Sequence, residues 1–171
     1  MDFKLYCQSY DISCSWGSWF TISSQEDIKR IYDSARIRGV EEICTADYEG
    51  FLTYESLEGE SMLYFLQSHW EQLEYIFSFD YPEEVFQYLF NSYDVDKIFD
   101  MIEDFDYIEL EKGESHSSVE LLAGYYFFDM LDTENIPKDF VTYFDYEAYG
   151  RDILFEYAVE EGTDSFYLFR A

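Results

Sequence analysis

SSQEDIKRIYDSARIRG, residues 23–39, carries a full set of helix signals. Ser24 followed by Asp27 resembles a capping box built with the shorter acid. Ile28, Ile31, Tyr32 and Ala35 recur at i, i+3, i+4 and i+7, the spacing of one helical face. Gly39 stands where a helix C-terminus takes a left-handed residue. Upstream, Phe3, Leu5 and Cys7 alternate as in a strand, and WFTI at 19–22 predicts a second, with Gly17 near the turn between them. VEEICTA at 40–46 returns as a third strand, and DYEGF at 47–51 reads as a turn or loop. A small antiparallel sheet plus a helix is the expected N-terminal unit.

From about Leu57 to Phe105 the pattern is helical. Met62, Phe65, Leu66 and Leu73 mark one helix, Pro82 with Glu83 and Glu84 a new first turn, and Val95, Ile98, Phe99 and Ile102 a third helix. IELEKGE at 108–114 predicts a short strand. Ser117 and Glu120 read as a capping box, opening a helix striped by Val119, Leu122, Ala123, Tyr126, Phe127 and Met130. Pro137 starts another short helix, and Ile153, Phe155, Tyr157 and Val159 alternate into a closing hairpin with FYLF at 166–169. The fold class is α+β. Three small units are expected, at 1–55 (α+β), 56–106 (helical) and 107–171 (α+β with a hairpin).

The 171 residues hold 38 Asp and Glu against 10 Lys and Arg, a formal charge of −28. Such a charge accompanies disorder only where aromatics are few, and here aromatics make up 22% and hydrophobics 48%, so the chain folds. Residues 1–38 carry five acids and five bases, so the whole excess lies beyond them. Acids alternate with apolar residues instead of forming runs, the pattern of folded elements with carboxylate outer faces. Direct binding of nucleic acid or of an anionic membrane is excluded, because both need a basic surface. The longest apolar stretch, LLAGYYFF at 121–128, is short of a membrane span, and the N-terminus lacks a signal-peptide pattern. Cys7, Cys14 and Cys44 are odd in number and form no CxxC pair, which suits a reducing cytoplasm.

No catalytic motif is present, and neither His69 nor His116 sits in one. DYEAYGRDILFE at 145–156 places acids at positions 1, 3 and 12 of a calcium loop, but Tyr149 at position 5 offers no suitable ligand. No catalytic, metal or cofactor site is expected, and the chain reads as no enzyme. What the acids themselves offer is density. B-form DNA carries one charge per about 1.7 Å, so 28 net charges match about 14 base pairs. A folded body with carboxylates at that density imitates duplex DNA. Acidic chaperones of basic proteins and salt-adapted enzymes share the balance, although salt adaptation trims large hydrophobics and this chain is rich in them. The acids chosen for such a surface are Asp47, Glu49, Glu55, Glu58, Glu60, Glu71, Glu74, Asp80, Glu83, Glu84, Asp94, Asp96, Asp100, Glu103, Asp104, Glu109, Glu111, Asp129, Asp132 and Glu134.

FFDMLDTENIPKDFVTYFDYEAYGRDI at 127–153 resembles the signature of the ArdA antirestriction family, an IP segment followed by YFDYEAFARDL. Ile136, Pro137, Tyr143, Phe144, Asp145, Tyr146, Glu147, Ala148, Tyr149, Arg151 and Asp152 carry it. EEICTADYEGF at 41–51 is similar to the family's EEWAIHDYEGF, and the two matches together cover about a fifth of the chain. The resemblance implies an elongated, curved homodimer of three-subdomain chains that occupies the DNA groove of a type I restriction-modification enzyme, on its methyltransferase core. It also implies a dimer contact in the C-terminal subdomain, among Ile136, Pro137, Phe140, Tyr143, Phe144, Asp145, Tyr146, Glu147 and Tyr149.

Overall fold

The structure, a computed structural model, describes residues 3–11, 13–49, 62–113, 117–131 and 136–170, the side chains of residues 138 and 139 excepted. The chain divides into two compact units, residues 1–104 and 105–171. Both combine helices with small antiparallel sheets, so the fold is α+β.

In the first unit, β1 (Phe3–Ser9) is the centre of a three-stranded sheet, flanked by β2 (Gly17–Ile22) and β3 (Ile43–Glu49), both antiparallel to it. Alternation along β1 buries Phe3, Leu5, Cys7 and Ser9 on one face. Against this sheet stands α1 (Gln25–Ile37), which buries Ile28, Ile31 and Ala35 but leaves Tyr32 part exposed. Its start differs in detail from a capping box. The Ser24 hydroxyl donates to Asp27 Oδ2 at 2.8 Å, and the same oxygen accepts the Ser23 N–H at 3.1 Å. These two bonds hold the Asp27 carboxyl below the usual carboxylate range. Gly39 takes the left-handed conformation, with φ 72°.

The third strand runs later than the sequence suggests: Asp47, Tyr48 and Glu49 of the expected turn belong to β3, opposite Tyr6, Leu5 and Lys4. An irregularity between Tyr6 and Cys7 shifts the register, and the Lys4–Glu49 ion pair at 2.7 Å fixes the strand's end. Three helices complete the unit: α2 (Met62–Ile76), α3 (Glu83–Ser92) and α4 (Val95–Met101), followed by a 3-10 turn at 102–104. Pro82 occupies the cap position of α3, and Asp94 caps α4 by accepting the Lys97 N–H at 2.8 Å. Of the residues that mark the third helix, Phe99 is part exposed, while Ile98 and Ile102 are fully buried. Phe77 joins sheet to helices, with its ring 6.2 Å from Phe3, 4.9 Å from Phe86 and 5.6 Å from Phe90.

In the second unit β6 (Ser165–Arg170) lies between β4 (Ile108–Glu111) and β5 (Tyr157–Glu161). The last strand pair starts at Tyr157. Ile153 belongs to a helix and Phe155 to a 3-10 turn, which corrects the longer strand expected there. The helix α5 (Val119–Asp129) begins one residue later than its motif suggests, because Ser118, not Ser117, accepts the Leu121 N–H at 3.2 Å. Glu120 therefore lies one position short of a capping-box acid. Met130 falls beyond the helix and is largely exposed.

One face of α5 packs Ala123 with Leu110 and Leu168, with Val119, Leu122, Tyr126 and Phe127 around them. The opposite face meets α7 (Tyr146–Ile153), reached through the short α6 (Lys138–Thr142). Gly124 and Gly150 let the two helices touch backbone to backbone. A methyl on Gly124 would overlap the Tyr146 carbonyl oxygen, and one on Gly150 would overlap that of Glu120 and lie 2.6 Å from the Gly124 nitrogen. Gly150→Ala is therefore expected to lower stability by at least about 2 kcal/mol, since the obstructing atoms are backbone and cannot rotate away. An unchanged urea midpoint would show that the helices do not cross this closely.

Candidate functional site

The feature to be explained is the display of carboxylates. Among the described residues no Asp or Glu side chain is buried, and the only buried polar residues are Ser9 and Ser165. In the first unit Glu71 and Glu74 project from α2, Glu83 and Glu84 from the first turn of α3, and Asp96 and Asp100 from α4, with Asp80 in the connection between α2 and α3, Asp94 at the cap of α4 and Glu103 and Asp104 on the 3-10 turn. Acids four residues apart on a helix climb about 6 Å, close to two base-pair rises. Asp47 and Glu49 stand exposed on β3, Glu109 and Glu111 on β4, and Asp129 at the end of α5. The anticipated Glu55, Glu58, Glu60, Asp132 and Glu134 lie outside the described residues, as does His116.

Several of these carboxylates are held by neutral donors, which orient the oxygens and leave the charge whole. Gln72 Nε2 donates to Asp96 Oδ1 at 2.7 Å, and Gln87 Nε2 to Glu83 Oε1 at 3.2 Å. The Ser165 hydroxyl donates to Glu109 Oε1 at 2.8 Å, and the Tyr167 hydroxyl reaches the same oxygen at 3.4 Å. The Tyr75 hydroxyl donates to Glu103, and this bond pushes the phenol's pKa up. Cationic neutralisation is sparse: the ion pairs among the described residues are Lys4–Glu49, Lys29–Glu26, Arg30–Asp27 and Lys112–Glu161.

The signature residues separate into two groups. Phe144 and Tyr146 are packed inside the unit: the Phe144 ring lies 4.5 Å from Phe128, 5.0 Å from Tyr146 and 5.3 Å from Tyr149. Asp145 caps α7, accepting the Ala148 N–H at 3.0 Å, which gives the acid at the start of the apparent calcium loop a structural role. Phe140 and Tyr143 are 71% and 86% exposed, while Ile136 is half-buried and Pro137 and Glu147 are exposed. The sequence reading missed a further set of exposed acids in the second unit, Asp152, Glu156, Glu161 and Asp164. Asp152 falls inside the signature, and Glu156 falls within an alternation that reads as strand, so spacing marks neither as part of the acidic surface.

Burial pushes the Cys7 thiol up to about 12, the reverse of what a reactive thiolate needs. His69 turns its Nδ1 to the Phe65 carbonyl at 3.1 Å within α2. Among the described residues no group of three or more His, Cys, Asp or Glu is placed to hold a metal ion, and no helix is long and apolar enough to cross a membrane.

A family model described as antirestriction protein (ArdA) matches residues 7–167 of the chain. No curated protein matches it.

The neutral-donor arrangement is testable at Tyr75. Its ring hydroxyl is expected to ionise above the ordinary phenol range, and Glu103→Gln is expected to bring it back down, as followed by NMR of ring-labelled tyrosine. Identical titrations in the two proteins would mean that the contact does not hold Glu103 in solution.

Proposed function

Because the chain belongs to the ArdA antirestriction family, we propose that it blocks restriction by imitating duplex DNA in the binding groove of a type I restriction-modification enzyme. The observation that carries this reading is that none of the carboxylates of the described residues is buried and most of them are borne by helices and strands. Both units share the excess: residues 1–104 hold 22 acids against 6 bases, and residues 105–171 hold 16 against 4. The target is the methyltransferase core of that enzyme, met in the cytoplasm, and inhibition is competitive, with no bond made or broken.

The field of the acidic body speeds encounter with a basic groove, and pairing with its Lys and Arg side chains supplies affinity that falls with salt. Binding to DNA is driven largely by release of condensed counterions. A carboxylate surface holds fewer of them, so the imitation relies more on preformed geometry, and carboxylates oriented by Gln, Tyr and Ser donors serve that need. A homodimer would carry a charge of −56, the equivalent of about 28 base pairs. Phe140 and Tyr143, exposed and three residues apart in the signature segment, are its proposed contact.

The experiment is competition. Labelled duplex bound to a purified type I enzyme is expected to be displaced at near-stoichiometric protein, followed by anisotropy, without displacement from an unrelated basic protein. Displacement from any basic protein would favour an acidic chaperone instead. Single neutralisations such as Glu74→Gln or Asp104→Asn are expected to weaken inhibition by less than about fivefold, because exposed charges are screened and redundant. A tenfold loss from one of them would replace the distributed surface with a discrete site. Phe140→Glu is expected to halve the mass in light scattering while the circular dichroism spectrum stays native; an intact dimer removes Phe140 from the contact.

A further inference from the structure

Residues of α5, α7, the 3-10 turn at 154–156 and β5 line an open groove of about 450 Å³ in the second unit. Its walls are the rings of Phe127, Tyr149 and Tyr157 with Ile153, and its carboxylates are Asp152 and Glu156. The Phe127 and Tyr157 rings lie 5.5 Å apart and both pack on the Leu110, Ala123 and Leu168 core, so this wall is anchored. Tyr149 is held by Phe144. Asp152 and Glu156 are exposed, and neither has a hydrogen-bonded or ion-paired partner among the described residues.

The same unit shows what such a combination takes. Lys112 Nζ sits 4.6 Å from the centre of the Phe166 ring and 2.8 Å from Glu161 Oε1, a cation seated on an aromatic face beside a carboxylate. There the seat is filled from within the chain. In the groove the rings and carboxylates recur without an internal cation.

We infer that this groove receives an arginine side chain of the protein partner. A guanidinium is planar, stacks on aromatic rings and offers paired N–H donors to a carboxylate, so it uses all of the walls at once. An ammonium such as that of Lys112 can sit over one ring beside one carboxylate, but it has no plane to stack and no fork of paired donors. Phosphate and carboxylate ligands are excluded by the two acids, and an apolar ligand would leave both carboxylates facing it. The inference rests on the proposed function for the partner's identity, but the groove's preference for guanidinium does not. It turns part of a distributed surface into an address, one place where position matters as well as charge.

Two measurements separate the two claims. Methylguanidinium titrated into ring-labelled protein is expected to shift the Phe127, Tyr149 and Tyr157 resonances saturably, and more than methylammonium does. Asp152→Asn with Glu156→Gln is expected to abolish the shifts. In the displacement assay the same double variant is expected to lose at least tenfold more inhibition than Asp100→Asn with Asp104→Asn, which removes equal charge at equal spacing. Equal responses to the two cations, or equal losses in the two double variants, would overturn the arginine seat and leave the DNA imitation standing. Saturable guanidinium binding in a protein that inhibits no restriction enzyme would uphold the seat and overturn the function.

Discussion

A body that carries 28 more acids than bases holds together only while its apolar interior outweighs the repulsion among them. Two physical facts make this possible. Salt screens exposed charges beyond about 8 Å at physiological strength, so each carboxylate feels mainly its near neighbours. Each large apolar side chain taken fully out of water contributes about 1.5–3 kcal/mol. The protein meets the requirement with Leu, Ile and Phe throughout both units, among them Leu66, Leu73, Ile76 and Leu89 at complete burial. It also leaves no described carboxylate buried, so desolvation opposes folding only weakly.

Much of this was legible in the sequence. The period of Ile28, Ile31 and Ala35, the alternation of Phe3, Leu5 and Cys7, and the turn residue Gly39 each report a local rule that the structure obeys. What was not legible came from contacts distant along the chain. DYE at 47–49 looks like a turn and becomes strand because Lys4 through Tyr6 lie opposite it. The helix at 119–129 shows a single stripe on paper, yet it is buried on two sides, because Gly124 meets a glycine twenty-six residues later. The alternation of Ile153, Phe155, Tyr157 and Val159 reads as strand until the α5 and α7 crossing claims its first members for helix. Surface acids could be named from composition, but not the donors that orient them. A Gln, Ser or Tyr opposite a carboxylate leaves no trace in spacing.

The choice of donors matters for how the charge is used. An arginine or lysine beside each carboxylate would fix its direction and erase its field. Gln72, Gln87, Ser165 and Tyr75 fix direction alone. The bonds are modest, about 1 kcal/mol each and somewhat more with a charged acceptor, and in exposed positions less. Their value lies in removing rotamers before a partner arrives, so that less order has to be imposed on binding.

The backbone contact of Gly124 with Gly150 has a counterpart in how freely this protein can change over generations. An exposed acid can move by a residue, or alternate between Asp and Glu, with little effect on fold or on field. Two helices in contact through their main chains tolerate nothing larger at the point of crossing. Inheritance is therefore expected to run at two speeds in one molecule: a surface that drifts while its charge density is kept, and a small fixed crossing of glycines and aromatic rings beneath it.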